Sequence, residues 1–127
     1  MRVLVVSRLE VWRIGVASVL SRQVSVKVEV ADASTCGEML DRVERDRLID
    51  FMVLDADAIS DSGLEQFARM VAPPTIVLTD SDEGKAYWAT ILPSVRCVDK
   101  RRPLEDFTNA IDRVVEQIAC RRSRDLK

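Results

Sequence analysis

The chain contains no histidine. That removes serine–histidine and cysteine–histidine catalysis, imidazole metal ligands and any role as a histidine phosphodonor. Cysteine is sparse: Cys36, Cys97 and Cys120 are odd in number and show no C-x-x-C spacing, which suits neither a disulfide framework nor a zinc site. Cys97 lies in an apolar run and is expected to be simply buried. No apolar stretch approaches the ~18 residues of a membrane span. The short run after Arg2 reads as a strand rather than a signal peptide, so the expectation is a cytoplasmic protein without membrane contact. A basic excess is also missing. Lys and Arg number 19 against 21 Asp and Glu, for a formal net charge of -2, so no global positive field points to nucleic acid.

What is present is one core's worth of apolar residues, 47% of 127. Residues 1–121 are assigned to one domain, and 122–127 to a basic tail or the start of a linker. The tail, "CRRSRDLK", reads as a solvated helix end, with a contact to an acidic partner as the alternative. Short apolar runs alternate with helix-period segments. Strands are expected at "VLVV" (3–6), "VSVKVEVA" (24–31), "FMVLDA" (51–56), "PPTIVLTD" (73–80) and "VRCVDK" (95–100). The second alternates Val with polar residues, as near a sheet edge; the third is the most apolar and is expected at the centre.

Helices are expected at 10–22, from Ser34 or Thr35 onward, at 63–71, at 83–92 and at 103–121. In the first, Val11, Ile14, Gly15, Ser18 and Val19 recur at helical spacing; in the last, Leu104, Phe107, Ile111, Val114 and Ile118 form a stripe behind Pro103. Strict alternation argues an α/β domain, a parallel sheet with helices on both faces and its site beyond the carboxyl ends of the strands. The residues there are Ser7, Arg8, Asp55, Thr79, Asp80, Asp99 and Lys100.

An Asp, a Thr and a Lys ending three successive strands resemble the receiver domain of two-component response regulators, over essentially the whole chain. The closest flavour is that of receivers preceding a helix-turn-helix output domain. Asp55 in "FMVLDADAISDSGLE" stands at the family's phosphoacceptor, with Gly63 and Leu64 matching its "DGLE". Thr79 in "IVLTD" stands at the conserved Thr/Ser switch, and Lys100 in "VRCVDKRRP" at the conserved lysine. "WRIGVASVL" resembles the family's first helix, including Arg13 and Gly15. The resemblance implies a flavodoxin-like (βα)5 fold of strand order 2-1-3-4-5. It also implies phosphoryl transfer assisted by Mg²⁺ and the lysine.

The departures matter more. The family's Mg²⁺ site needs two adjacent acids after the first strand, and here those positions are Ser7 and Arg8. Mg²⁺ prefers carboxylate oxygens and water. Asp55, Arg8 and Lys100 sum to +1, where three carboxylates and a lysine give -2. At 4 Å and an effective dielectric near 20, one unit-charge pair is worth about 4 kcal/mol, so Arg8 would offset the attraction of the remaining carboxylate. Weak or absent Mg²⁺ binding is expected, and no other cofactor. Asp57 belongs to the same degenerate set; counting Asp57 and Asp80 brings the sum to -1. Cys97 occupies the switch position where many receivers carry Tyr or Phe. Asp80 stands where the family prefers a small residue, and Ile59 replaces the usual proline after the phosphoacceptor.

The reading favoured is an atypical, phosphorylation-independent receiver, a non-enzymatic signalling or dimerisation module, in the regulatory part of a transcriptional regulator. Its partners would be another protein or a second copy, with no direct nucleic-acid contact. Arg8 is expected to hold Asp55, the alternative being an arginine extended into solvent. A receiver still phosphorylated on Asp55, served by a histidine kinase, is the second reading. A small phosphatase with Asp55 as nucleophile is a remote third. Lys100, Arg101 and Arg102 read as a solvated basic loop, or as the seat of a small anion.

Overall fold

Alternation along each strand decides how the sheet is buried. The computed structural model describes residues 1–23, 29–46, 48–70, 73–80, 82–91, 95–102 and 104–125. Strands β1 (Arg2–Val6), β2 (Glu29–Ala33), β3 (Phe51–Asp55), β4 (Thr75–Thr79) and β5 (Arg96–Asp99) form one parallel sheet of order β2-β1-β3-β4-β5. The intervening helices are α1 (Glu10–Gln23), α2 (Cys36–Arg45), α3 (Asp61–Arg69), α4 (Asp82–Ile91) and α5 (Leu104–Asp125), with one 3-10 turn at Ala56–Ala58.

Val3, Val5, Phe51, Val53, Ile76, Leu78 and Val98 point to one face, against Val16 and Leu20 of α1 and Phe107, Ile111, Val114 and Ile118 of α5. Leu4, Val6, Met52, Leu54 and Val77 point to the other, against Met39 of α2, Phe67 of α3 and Trp88 of α4. Both faces of β3 are therefore buried, as its unbroken apolar run requires. Phe67 and Trp88 meet edge to face with ring centroids 6.4 Å apart, a favourable aromatic geometry.

Local chemistry sets the boundaries. Thr35 is the N-cap of α2, its hydroxyl accepting from Glu38 N, while the Glu38 carboxylate returns to Ser34 N and Oγ. Ser60 caps α3 by accepting from Gly63 N, so that helix starts two residues earlier than its periodicity suggested and ends at Arg69. Gly63 is needed here because a Cβ would overlap Cys36 Sγ. Burial among these groups pushes the Cys36 thiol up.

Three expectations need correction. Among the described residues the second strand runs over Glu29–Ala33, past its expected end at 31, and residues 24–28, like Pro103, lie outside the described residues. On α1 the buried residues are Val16 and Leu20; Val11, Ile14, Gly15 and Ser18 face outward. Helix α5 runs through Asp125, and Arg122 near its end pairs with Asp50, just before β3. Leu104, first in the expected stripe, is exposed.

Candidate functional site

The parallel order places the ends of β1, β3, β4 and β5 along one rim, and the chain reverses its direction of spread between β1 and β3. A crevice forms at such a switch point. Residues Val5 and Val53 are register partners there. Two steps on, with the same parity, come Ser7 and Asp55, so their side chains emerge on the same side of adjacent strands. The contact follows: Ser7 Oγ donates to Asp55 Oδ2 at 3.1 Å. Asp55 is only 4% exposed and Ser7 2%.

The other carboxylate oxygen is also engaged. Lys100 Nζ lies 2.6 Å from Asp55 Oδ1, and Asp57 N–H donates to the same oxygen at 3.2 Å. The ion pair is largely shielded from solvent, the Lys100 side chain being 11% exposed. Pairing and hydrogen bonding are what permit a buried carboxylate at this position. Asp57 reaches Lys100 more loosely, at 3.6 Å from a side chain more than half exposed.

Thr79 ends β4 as a buried residue beside Asp99, its register partner on β5, and its carbonyl accepts from Lys100 N at 2.7 Å. Cys97 is half-buried against the second core, three residues before Lys100. Asp80 is exposed. The position of Ile59 is settled by its N–H, which closes the 3-10 turn on Ala56 O at 3.1 Å.

Arg8 does not hold Asp55. It is exposed, and among the described residues it forms no ion pair with that carboxylate. Its parity is opposite to that of Ser7, so the residue after the contact turns away from it. The serine, not the arginine, takes the place beside Asp55. The basic loop is not simply solvated either. Asp99, buried at the end of β5, accepts from Arg101 N at 2.8 Å, Arg101 Nε at 3.1 Å and Arg101 Nη2 at 2.7 Å. Hydrogen bonds from the Arg101 side chain, then its backbone N–H, hold the Asp99 carboxyl at about 2, against the opposing effect of burial. This clamp fixes the turn that carries Lys100.

Two contributors come from the first turn of α1: Trp12, unread in the sequence, and Arg13, noted there only as part of a resemblance in the first helix. The Trp12 ring lies beneath Lys100, with Nζ 5.0 Å from its centroid, and Arg13 Nη1 donates to Ser7 O at 2.6 Å. The available signal was the short connection from Ser7 to α1, which sets the helix's first turn beside the rim.

The fit to Mg²⁺ is poor on donor chemistry. The ion favours several hard anionic oxygens. Ser7 offers a hydroxyl already committed to Asp55 and to Leu9 N–H, and the next residue is a cation. Among the described residues no group of three or more acids, cysteines or histidines converges as a metal site, and no helix is long and apolar enough to cross a membrane.

No family model and no curated protein sequence matches the chain. Solved structures do. The signal receiver domain of an HD domain-containing protein from Pseudomonas fluorescens Pf-5 superposes with TM-score 0.75 at 16% identity, over 97% of this chain and 92% of that one. The response regulatory domain of protein mrkE from Klebsiella pneumoniae gives 0.76 at 12% identity, over 94% and 98%. The signal receiver domain of a DNA-binding response regulator from Colwellia psychrerythraea 34H gives 0.74 at 14% identity, over 91% and 98%. Strand order, the rim of Asp55, Thr79 and Lys100, and these superpositions together give the chain the fold of a response-regulator receiver domain.

Proposed function

We propose that the chain is an atypical receiver module that signals through its surface, on a protein partner or a second copy, without a phosphorylation cycle at Asp55. One observation carries the reading: both Asp55 oxygens are engaged, Oδ2 by the Ser7 hydroxyl and Oδ1 by Lys100 and the Asp57 N–H, on a carboxylate 4% exposed. Attack on phosphorus needs an oxygen lone pair directed at the incoming group; three donors take three of the carboxylate's roughly four acceptor sites, and burial restricts approach to the one left on Oδ2. Where a working receiver would supply negative charge for Mg²⁺, Ser7 and Arg8 supply none, so weak or absent metal binding belongs to the same reading. In this reading the domain is a signalling module rather than an enzyme. The structural neighbours named above belong to proteins of different kinds, an HD domain-containing protein and a DNA-binding regulator. A signalling role served by a protein contact agrees with that variety.

A receiver that still accepts phosphate on Asp55 is the second reading. Its support is the Lys100–Asp55 pair together with the exposed Asp57 carboxylate 3.6 Å from Lys100. Beryllofluoride with Mg²⁺, followed by amide chemical shifts, separates the two. The first reading predicts no saturable shift at Asp55, Thr79 or Lys100; saturation there establishes the second.

A further inference from the structure

The outer face of α1 carries apolar side chains that the core does not use. Of the large apolar side chains exposed among the described residues, Leu9, Val11, Trp12 and Ile14 fall within one turn and a half of chain, at 59%, 80%, 36% and 61% exposure. Val11, Ile14, Gly15, Ser18 and Arg22 lie on one stripe at the spacing of a helix face. The opposite face, Val16 and Leu20, fills the core. Nothing inside the domain calls for glycine at position 15, where a Cβ would meet no atom within 4 Å. Gly15 and the exposed Ser18 lower the middle of the stripe, with apolar bulk at one end and an arginine at the other.

From these features we propose that α1 packs against α1 of a second copy of this chain, antiparallel about a two-fold axis between Gly15 and Ser18. The proposal rests on the reading of the domain as a surface-acting module and names that surface. Charge selects the partner and its direction. An antiparallel pair sets Val11 opposite Arg22 of the other copy, so the arginine stem covers the valine and its guanidinium reaches Glu10, twice over. A parallel pair would place Glu10 against Glu10 and Arg22 against Arg22. Glu10 and Arg22 are both exposed. Among the described residues Arg22 makes a long bond, Nε to Ser18 O at 3.4 Å.

On the stripe itself Val11 and Ile14 are 80% and 61% exposed, a small apolar footprint that suits a weak, reversible pair rather than a standard interface of about 800 Å² per partner. The far end of α1 is held by Gln23 Nε2 donating to Asp112 Oδ1 at 2.8 Å, so the face is presented on a fixed helix.

Sedimentation velocity over a dilution series of the whole chain tests this. A reversible dimer is expected. Ile14→Glu, at a site 61% exposed and outside the core, should give a monomer with the parent's melting temperature. Glu10→Arg should weaken association at least about tenfold, and Glu10→Arg with Arg22→Glu should recover it. A chain monomeric throughout, a dimer indifferent to Ile14→Glu, or a double reversal that fails to recover association overturns the proposal. Failure here is distinguishable from failure of the functional reading. A monomer that ignores beryllofluoride overturns the dimer alone, whereas a dimer that takes it up supports this surface and overturns the phosphorylation-independent reading.

Discussion

Replacing Ser7 by alanine removes one oxygen from the centre of the site. The hydroxyl donates to a carboxylate oxygen of a residue 4% exposed, at 3.1 Å, and among the described residues no other donor serves Asp55 Oδ2. Hydrogen bonds to charged groups contribute about 1.5–3 kcal/mol, and an orphaned buried acceptor sits at the upper part of that range. Leu9 N–H also loses its 3.2 Å acceptor, but Leu9 is exposed and water can replace it. Lys100 and the Asp57 N–H remain on Oδ1, so the carboxylate is weakened rather than stranded. The net cost should be about 2 kcal/mol, a sizeable share of the ~5–15 kcal/mol that holds a domain together. For a chain of this size that lowers Tm by roughly 6–8 °C. Arg8→Ala, by contrast, removes an exposed side chain that forms no ion pair with Asp55 and should stay within about 0.5 kcal/mol of the parent. Urea titration of the parent and both variants measures the two costs directly. If Ser7→Ala is as stable as the parent, or Arg8→Ala costs as much as Ser7→Ala, the assignment of the serine as partner of Asp55 is wrong.

Two further outcomes follow from other parts of the structure. Gly63→Ala should destabilise by about 1–2 kcal/mol, because overpacking against Cys36 Sγ outweighs the gain of up to ~1 kcal/mol in helix propensity; in a Cys36→Ala background the same change should become neutral or stabilising, and an unchanged sign there refutes the overlap. The Arg101 clamp depresses the Asp99 carboxyl to about 2 from its ordinary 3.8, so its stabilisation is present above that ordinary value and is lost as pH falls toward about 2. Denaturation of the parent and Arg101→Ala across pH 2–6 should show a stability gap that is constant at the upper end and closes at the lower; a gap independent of pH would contradict the clamp.

The strands were legible because their burial pattern is simple. Phe51–Leu54 is apolar at every position, which only a central strand explains, and β3 is indeed the middle of five. Asp55, Thr79 and Lys100 were legible as strand-end residues once five parallel strands were read. Helix α1 was not, because apolar residues surround it: Val11 and Ile14 line one face as regularly as Val16 and Leu20 line the other, and only the sheet decides which is buried. The error on Arg8 has a different origin. Summing charges ranked it above Ser7 as the partner of Asp55, whereas the contact is set by register and parity, which favour the neutral residue. Trp12 beneath Lys100 and the Asp99–Arg101 clamp depend on how a turn folds back, which no periodicity encodes.

We infer that Ser7, bonded to Asp55, and Arg8, a cation at the rim, leave no Mg²⁺ site here. Calorimetric titration of Mg²⁺ into the parent chain and into the Ser7→Asp, Arg8→Asp double variant tests it most directly. No saturable binding by the parent in the millimolar range is expected, and saturable binding by the variant, which regains one carboxylate at the Ser7 position beside Asp55 and a second at the rim. Saturable Mg²⁺ binding by the parent chain would contradict it.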